Sequence, residues 1–247
     1  MPLNTTVNYS PNFNSKKRFA KKVKFIIFHY TGMKSESSAI NKLTDIQSEV
    51  GCHYLIKNNG KIIKMVPDLY ITWHAGKSSW KKFTNLNKDS IGIEITNPGH
   101  QFGYKKFSQK QISSLLKLSK FLIKKYKISP KNILGHSDIA PLRKKDPGEK
   151  FPWEYLSKNK IGIWHILKDQ ELTKNRKIKA SKREESFFFN NIHKIGYSKK
   201  FSKDVDKAKY SRELVKTFQR RFRQKLIDGK IDKECLLISK NLVKRYN

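Results

Sequence analysis

Short apolar runs in the first part of the chain limit what it can fold into. The longest, VKFIIFHY at residues 23–30, is continuous, and two others lie at residues 91–95 and 133–134. A continuous apolar run of this kind is typical of a strand that is buried on both faces of a sheet. We therefore predict that these runs form the interior of a sheet.

Two further patterns decide the class of that sheet. An Asn-Gly pair separates apolar runs within residues 53–66, which predicts a β-hairpin. Residues 108–126 repeat apolar side chains at helical spacing, with Ser108 as the cap and Gln111 at the capping-box position. Strands that alternate with helices, together with one hairpin, predict an α/β domain whose mixed central sheet is flanked by helices.

Composition changes along the chain predict its domains. Residues 1–20 are polar and predict an irregular arm, and residues 21–167 contain the α/β pattern. Residues 168–184 are polar, charged and free of aromatic side chains, which is typical of a linker. Residues 185–247 contain three short helical patterns, and we predict a small C-terminal three-helix domain there.

The chain is strongly basic, with 54 Lys and Arg against 20 Asp and Glu and a net charge of +34. Such a charge attracts polyanions, including nucleic acid and anionic envelope polymers. Most of the cations are Lys, and abundant Lys, Asn and Ile also fit a genome rich in A and T. No nucleic-acid-binding motif accompanies the charge, so we expect no specific nucleic acid partner.

Other features place weak limits on the cellular compartment of the protein. Cys52 and Cys235 lie far apart and indicate free thiols. No apolar run approaches 18 residues, and the first 22 residues lack the apolar region of a signal peptide. We expect no transmembrane segment, and either a cytoplasmic location or a cell-envelope location reached by an export route that the sequence does not reveal.

The residues that follow the apolar runs include candidate metal ligands. His29 lies next to the end of the first run, and His136 follows the third, in the segment GHSDIAPLRKKDPGEKFPW that also contains Asp146. Ligand-binding side chains of open α/β sheets lie beyond the ends of strands. Two histidines and one carboxylate form an open catalytic zinc site. A turn in a basic surface loop is the alternative interpretation of Asp146.

Glu94 interrupts the apolar run at residues 91–95. Within SIGIEIT it shares one face of the strand with Ser90, Gly92 and Thr96, while the isoleucines occupy the other face. That polar face is either solvated or the floor of a cleft. A glutamate beside a catalytic zinc is the usual general base of a metallohydrolase.

These segments together resemble a known family. The motifs FHYTGM, CHYLI, WHAG, SIGIEIT and GHSDIAPLRKKDPGEKFPW occur in the order found in the bacterial zinc N-acetylmuramoyl-L-alanine amidases, most closely the AmiD/AmpD branch. This family shares its fold with peptidoglycan recognition proteins, and the resemblance covers residues 23–156. The segments LVKTFQRRF and DGKID resemble, more weakly, the three-helix peptidoglycan-binding domain of AmiD-like members.

The resemblance implies a reaction, a cofactor and a set of residues. The reaction is hydrolysis of the amide between N-acetylmuramic acid, or its 1,6-anhydro form, and the L-alanine of the stem peptide, in cell wall recycling or catabolism. The enzyme is expected to be a monomer with one Zn²⁺ per chain. The family pattern assigns the metal to His29, His136 and Asp146 and the catalytic roles to Glu94 and Lys144. We predict substrate contacts at Tyr30, His74, Trp80 and Asn85.

The resemblance leaves some points open. Lys145 is adjacent to Lys144, and only the family register selects between them. Many members carry Arg-x-Asn-Asp before the catalytic strand, whereas residues 85–88 read Asn-Leu-Asn-Lys, so Lys81, Lys82 or Lys88 could substitute in binding the peptide. The alternatives to an amidase are a non-catalytic peptidoglycan-binding protein on the same fold and a basic nucleic-acid-binding protein.

Overall fold

The computed structural model describes residues 4–199 and 205–247. The strands are β1 (Thr5–Val7), β2 (Phe13–Asn14), β3 (Phe25–Tyr30), β4 (Tyr54–Ile56), β5 (Ile62–Lys64), β6 (Ile71–Thr72), β7 (Ser79–Trp80), β8 (Phe83–Thr84), β9 (Ser90–Ile95) and β10 (Ile133–Gly135). The α-helices are α1 (Glu36–Thr44), α2 (Gln109–Tyr126), α3 (His136–Ile139), α4 (Trp153–Lys158), α5 (Asp169–Asn175), α6 (Lys182–Ile195), α7 (Lys207–Phe222) and α8 (Lys233–Tyr246).

Six strands form the central sheet, in the order β1-β5-β4-β9-β3-β10. Strand β3 lies between β9 and β10, and all three run parallel. Strand β4 pairs parallel with β9 and antiparallel with β5, so the sheet is mixed. The α/β class and the mixed central sheet flanked by helices are thereby confirmed.

Local signals placed the hairpin and the longest helix correctly. The Asn-Gly pair joins β4 to β5 in an antiparallel hairpin, as predicted. Helix α2 begins directly after Ser108, whose hydroxyl accepts a hydrogen bond from the Gln111 N–H at 3.2 Å. The Gln111 side chain accepts one from the Ser108 N–H at 2.9 Å and completes the capping box.

The N-terminal arm differs from the prediction. Residues 1–3 lie outside the described part of the chain, but β1 adds a parallel edge strand beside β5, and β2 pairs with β6 in a small antiparallel sheet. These strands are short, and backbone hydrogen bonds attach them to strands that are distant in sequence. Such bonds leave no apolar period, so the polar composition of residues 1–20 concealed them.

Different parts of the chain cover the two faces of the central sheet. On one face, Ile26 and Phe28 of β3 belong to an apolar cluster with Leu115 and Leu122 of α2. On the other face, Phe25 belongs to a continuous cluster that extends to Phe218 of α7. The C-terminal helices and the α/β region therefore share one hydrophobic core.

Residues 168–184, which the composition predicts to be a linker, have structure of their own. They contain α5, whose Leu172 is buried, and an isolated β-bridge between Lys179 and Asp232. The Arg176 guanidinium donates two hydrogen bonds, each 2.7 Å long, to the Glu234 carboxylate of α8. The partners lie more than 50 residues later, so local composition did not signal them. The domain boundaries themselves stay a prediction.

Helix α2 is the longest helix of the described ranges, and it is amphipathic. Its apolar side chains, among them Leu115 and Leu122, are buried against the sheet, while lysines cover the opposite side. Within residues 4–199 and 205–247, no helix has both the length and the apolarity that crossing a lipid bilayer requires.

Candidate active site

Adjacent parallel strands place His29 and Glu94 side by side. His29 of β3 is in direct register with Glu94 of β9. Strand residues in register point to the same face, so both side chains lie on the face opposite α2. His29 is 1% exposed and Glu94 is 8% exposed, which makes Glu94 a buried strand carboxylate rather than a solvated one.

The segment after β10 adds the second histidine and the aspartate. His136 is the first residue of α3, directly beyond the end of β10. Asp146 lies ten residues later and is buried. The backbone N–H of Ser137 donates to the carbonyl of Asp146 at 2.9 Å. This bond holds the loop that carries Asp146 against the turn that carries His136.

Three donor atoms meet at one point. The Nδ1 atoms of His29 and His136 lie 2.9 Å apart, and each lies 3.1 Å from Oδ2 of Asp146. Burial, followed by the charge of His136, lowers the pKa of His29 to about 4. The pKa of Asp146 is lowered because the two histidines outweigh its burial. A neutral imidazole and an ionised carboxylate are the forms that bind a metal.

The other nitrogen of His29 is held by a chain of hydrogen bonds. His29 Nε2 lies 3.0 Å from His74 Nδ1, and His74 Nε2 lies 3.1 Å from the Ser90 hydroxyl. The Ser90 hydroxyl donates to the Leu86 carbonyl at 2.6 Å. When Nδ1 of His29 binds a metal, Nε2 carries the proton and donates to His74. This chain therefore fixes the tautomer that metal binding requires.

His136 is oriented in the same way by a backbone carbonyl. His136 Nε2 lies 3.1 Å from the Ala75 carbonyl oxygen. The Arg143 guanidinium donates to that same oxygen at 3.1 Å and to the Lys77 carbonyl at 2.6 Å. Arg143 thereby holds the loop that orients His136. The sequence showed the basic run at residues 143–145, but nothing in it indicated this contact.

Glu94 is the least satisfied polar group of the site. Its Oε2 atom is buried without a hydrogen-bond partner among the described residues. Burial, and then repulsion from Asp146, raises its pKa from 4.5 to about 8, while Lys144 and Lys42 oppose this shift. A buried acid with no partner, beside three metal-binding donors, has the properties of a proton-transfer group rather than a structural one.

A cleft of about 360 Å³ opens over these groups. Lys144 and Lys145 both line it, and so does Lys42 of α1, which the sequence did not single out. Lys144 is half-buried, and its charge acts on both His29 and Glu94. Lys145 is exposed. These positions favour Lys144 over Lys145 as the cation that acts inside the site.

The cleft contains only some of the predicted substrate contacts. Tyr30 and His74 line it, and the Tyr30 hydroxyl lies 2.9 Å from His100 Nδ1. Trp80 is 1% exposed and packs edge-on against Tyr197 at 4.9 Å, because its large apolar ring is buried beneath the C-terminal helices. Asn85 is exposed in a left-handed turn. The structure therefore places Trp80 and Asn85 outside the cleft.

The lysines considered as replacements for a peptide-binding arginine also lie outside the cleft. Lys81, Lys82 and Lys88 are exposed on the loop that precedes β9. The cations that do line the cleft are Lys42 and the basic run at residues 143–145. These residues, and not the lysines before β9, therefore supply the positive charge of the cleft.

Fold and site together define a class of protein. A mixed α/β sheet presents two imidazole nitrogens and one carboxylate oxygen around a single point, and these atoms form a group able to bind a metal ion. A buried, unpaired carboxyl lies in the same cleft. This is the arrangement found in hydrolases that use one metal ion.

The family follows from sequence. Residues 19–149 match the family model described as N-acetylmuramoyl-L-alanine amidase. The chain is 34% identical to N-acetylmuramoyl-L-alanine amidase AmiD of Escherichia coli over 91% of its own length and 84% of that protein. It is 32% identical to 1,6-anhydro-N-acetylmuramyl-L-alanine amidase AmpD of Haemophilus influenzae over 60% of its length and 88% of that protein. The chain belongs to the N-acetylmuramoyl-L-alanine amidase family.

Solved structures agree with this assignment. The chain is similar to E. coli AmiD in complex with anhydro-N-acetylmuramic acid-L-Ala-D-gamma-Glu-L-Lys, with a TM-score of 0.78 and 32% identity over 94% of this chain and 92% of that one. It is equally similar to Pseudomonas aeruginosa AmpDh3 in complex with anhydromuramic pentapeptide, with a TM-score of 0.78 and 30% identity over 98% of each chain. These matches extend through the C-terminal helices.

Proposed function

We propose that this amidase hydrolyses, with zinc, the amide bond between the lactyl group of N-acetylmuramic acid, or its 1,6-anhydro form, and L-alanine. One observation carries the proposal. The donor atoms of His29, His136 and Asp146 converge beside the unpartnered carboxyl of Glu94, in one cleft. The anhydromuropeptides bound to AmiD and AmpDh3 support the choice of substrate.

The donor set fits one zinc ion. Zinc takes imidazole nitrogen and carboxylate oxygen, and catalytic sites use three protein ligands and leave one position open. His29, His136 and Asp146 supply these ligands. When bound, zinc acts as a Lewis acid that lowers the pKa of water and polarises the scissile carbonyl. Its positive charge also balances a cluster that otherwise holds two carboxyl groups close together.

Glu94 moves the proton. Its Oε2 atom, which has no other partner, accepts the proton of the attacking water and later passes it to the nitrogen of the departing L-alanine. Burial and the charge of Asp146 raise the pKa of Glu94, which makes its carboxylate a stronger base than an exposed one, and the positive charge of a bound metal ion would favour the ionised form that accepts the proton. The water oxygen becomes part of the new lactyl carboxylate, and the amine leaves protonated.

Lys144 stabilises the charge that develops on the carbonyl oxygen. It lines the cleft and is half-buried, so its ammonium group acts in a partly dehydrated environment. A fixed donor to a developing oxyanion contributes about 3–4 kcal/mol in other enzymes. Tyr30 and His74 shape the same cleft, His74 mainly by fixing the ring of His29.

In this proposal, the C-terminal helices retain the enzyme on the wall polymer. Residues 185–247 act in this proposal as a peptidoglycan-binding-like domain, and the groove there is lined by Phe189 of α6, by Arg212 and Val215 of α7, and by Lys230. Lysines of the preceding segment, Lys177, Lys179 and Lys182, also line this groove. Aromatic and cationic side chains together suit a glycan that carries peptides with carboxylates. Binding of the catalytically impaired Glu94→Gln protein to insoluble sacculi, compared with the same protein carrying Arg212→Ala, tests this role.

The reaction is tested by mass spectrometry of products from anhydromuropeptide and from intact sacculi, each with and without a chelator. The proposal expects free stem peptide and peptide-free sugar, with turnover lost on chelation and restored by zinc. Cleavage within the peptide or the glycan chain would contradict the assigned bond. Full activity of the protein in the presence of the chelator would contradict the metal dependence of the reaction. The relative rates on the two substrates identify the preferred form.

A further inference from the structure

The side chains of two adjacent arginines of α7 extend from the C-terminal helices into the α/β region. Arg220 is 6% exposed and Arg221 is 2% exposed, so both are nine-tenths buried or more. Buried arginines require partners, because an uncompensated charge in the protein interior is costly. The partners of these two residues belong to the loops that carry the candidate metal ligands.

Arg221 contacts the residues on both sides of His136. Its guanidinium forms an ion pair with the Asp138 carboxylate and donates to the Ile133 carbonyl at 3.0 Å. It also stacks over the Trp153 ring at 4.2 Å from the ring centroid. One side chain therefore connects the strand that precedes His136 to the turn that follows it.

Asp138 connects Arg221 to the backbone of the turn that carries His136. Its Oδ2 atom accepts a hydrogen bond from the Gly135 N–H at 2.8 Å, directly before His136. Its Oδ1 atom accepts one from the Tyr197 hydroxyl at 2.7 Å. Tyr197 follows α6, so two side chains of the C-terminal helices hold the carboxylate that closes the turn carrying His136.

The loop that carries Asp146 is contacted from the same helix end. Arg220 Nε lies 3.9 Å from the Glu149 carboxylate, three residues after Asp146. The Gln224 side chain donates to the Phe151 carbonyl at 2.7 Å. The end of α7 thus touches both segments that bring donors to the metal position.

We propose that Arg221 is a positioning residue of the metal centre: paired with Asp138, it holds the turn of His136 so that the three donor atoms meet. The C-terminal helices are then a structural part of the catalytic centre as well as a wall-binding unit. The proposal rests on the metal-dependent function proposed above. Groups that orient metal ligands typically affect metal affinity by about 10–100-fold.

The competing explanation is that Arg221 only stabilises packing between the two regions. Arg223 separates the two explanations. It is also 2% exposed, and it pairs with Asp232 at 2.6 Å and Asp228 at 2.9 Å, both in the connection between α7 and α8. Loss of Arg223 removes a comparable buried ion pair without touching either loop that carries a metal ligand.

The test compares full-length Arg221→Met and Arg223→Met with the wild-type protein. Zinc affinity is measured by competition with a chromophoric chelator, at a temperature at which circular dichroism shows all three proteins to be folded. We expect Arg221→Met to lower zinc affinity by about 10–100-fold. We expect Arg223→Met to leave zinc affinity unchanged, although both variants melt at lower temperature.

Milder variants keep the test decisive if Arg221→Met does not fold. Arg221→Lys retains the charge but loses the planar fork, and we expect an intermediate affinity. Tyr197→Phe removes a single hydrogen bond to Asp138, and we expect a smaller loss in the same direction. The effect of combining Arg221→Lys with Tyr197→Phe should be non-additive, because both act through one carboxylate.

Distinct results overturn distinct claims. Wild-type protein that binds no zinc contradicts the proposed function, and this inference with it. If the wild-type protein binds zinc and Arg221→Met binds it equally well, only the positioning role is contradicted. Where Arg221→Met does not fold, equal binding by Arg221→Lys and Tyr197→Phe contradicts the role in the same way. Equal losses of affinity in the Arg221 and Arg223 variants indicate general destabilisation, and they also contradict the role.

Discussion

Two buried groups of ionisable side chains in the α/β region differ in one respect. Around Asp68, the Tyr126 hydroxyl and the Lys125 ammonium each donate to the carboxylate at 2.7 Å, and the Tyr54 hydroxyl donates to its other oxygen. Around Glu94, one carboxyl oxygen has no partner among the described residues. The first group is satisfied by the protein, whereas the second keeps one carboxyl oxygen unpaired among the described residues.

The pKa values follow the same division. Burial raises the pKa of Asp68, but the hydrogen bonds from Lys125, Tyr54 and Tyr126 outweigh burial and leave it below 3.8. Burial raises the pKa of Glu94 to about 8, and no hydrogen bond offsets it. Two buried carboxyls, 4% and 8% exposed, therefore show pKa shifts of opposite sign. A buried carboxyl is structural where its partners are supplied, and reactive where they are withheld.

The largest expected effect comes from removing a metal ligand. We expect His136→Ala to lose bound zinc and all measurable turnover, because two remaining donors do not hold the ion. Metal content after dialysis, measured by atomic emission, checks this. Asp68→Asn is the control, and it should retain equimolar zinc. Equimolar zinc in the His136→Ala protein would remove His136 from the ligand set.

Glu94→Gln comes next, and it separates proton transfer from metal binding. The amide keeps the shape of the acid but accepts no proton, so we expect turnover on muropeptide to fall by about 10²–10⁴-fold while zinc stays equimolar. Steady-state kinetics and metal analysis of the same sample check both parts. A rate near that of the wild type would exclude Glu94 as the base.

Substitutions of the two adjacent lysines are expected to differ in their effect on kcat. Because Lys144 is half-buried in the cleft and Lys145 is exposed, we expect Lys144→Met to lower kcat by about 10²–10³-fold, the effect of removing one oxyanion donor. Lys145→Met should change kcat only slightly. Kinetics of the two variants on one muropeptide check this. The reverse order would assign the role to Lys145.

The smallest effects concern stability, and they have opposite signs. For the metal-free protein, we expect Glu94→Gln to raise the free energy of unfolding by about 1–3 kcal/mol at pH 8. The folded state binds the Glu94 proton more tightly than the unfolded state does, so wild-type stability falls as pH rises from 4.5 to about 8. The advantage of the variant should therefore grow across that interval.

Asp68→Asn is expected to do the opposite. The depressed pKa of Asp68 contributes stability above pH 3.8, and this contribution is lost as pH falls through the folded-state pKa. We expect the variant to lose about 1–3 kcal/mol at pH 7 and to approach the wild type in acid. Chemical denaturation of both variants across the pH range checks the pair. Changes of the same sign in the free energy of unfolding of the two variants would contradict the distinction between the two groups.

Much of this site was predictable because its signals are local. The apolar runs predicted the strand that carries His29 and the strand that precedes His136, and the alternation within SIGIEIT placed Glu94 on the polar face. The structure brings these residues together with Asp146 as the motifs implied. Trp80 and Asn85 were not placed so well, because a loop sequence does not reveal whether a side chain faces the cleft, the C-terminal helices or the solvent.

The sequence by itself determined the α/β class, the central strands and the residue types available for metal binding and proton transfer, since periodicity and motifs act over a few residues. Only the tertiary structure decided which contacts hold those residues. The Arg143 bond to the Ala75 carbonyl, the support of His29 by His74 and the Arg221 pair with Asp138 join residues 45 to 83 positions apart. Such contacts form when separate elements pack together, and they leave no periodic trace in either partner.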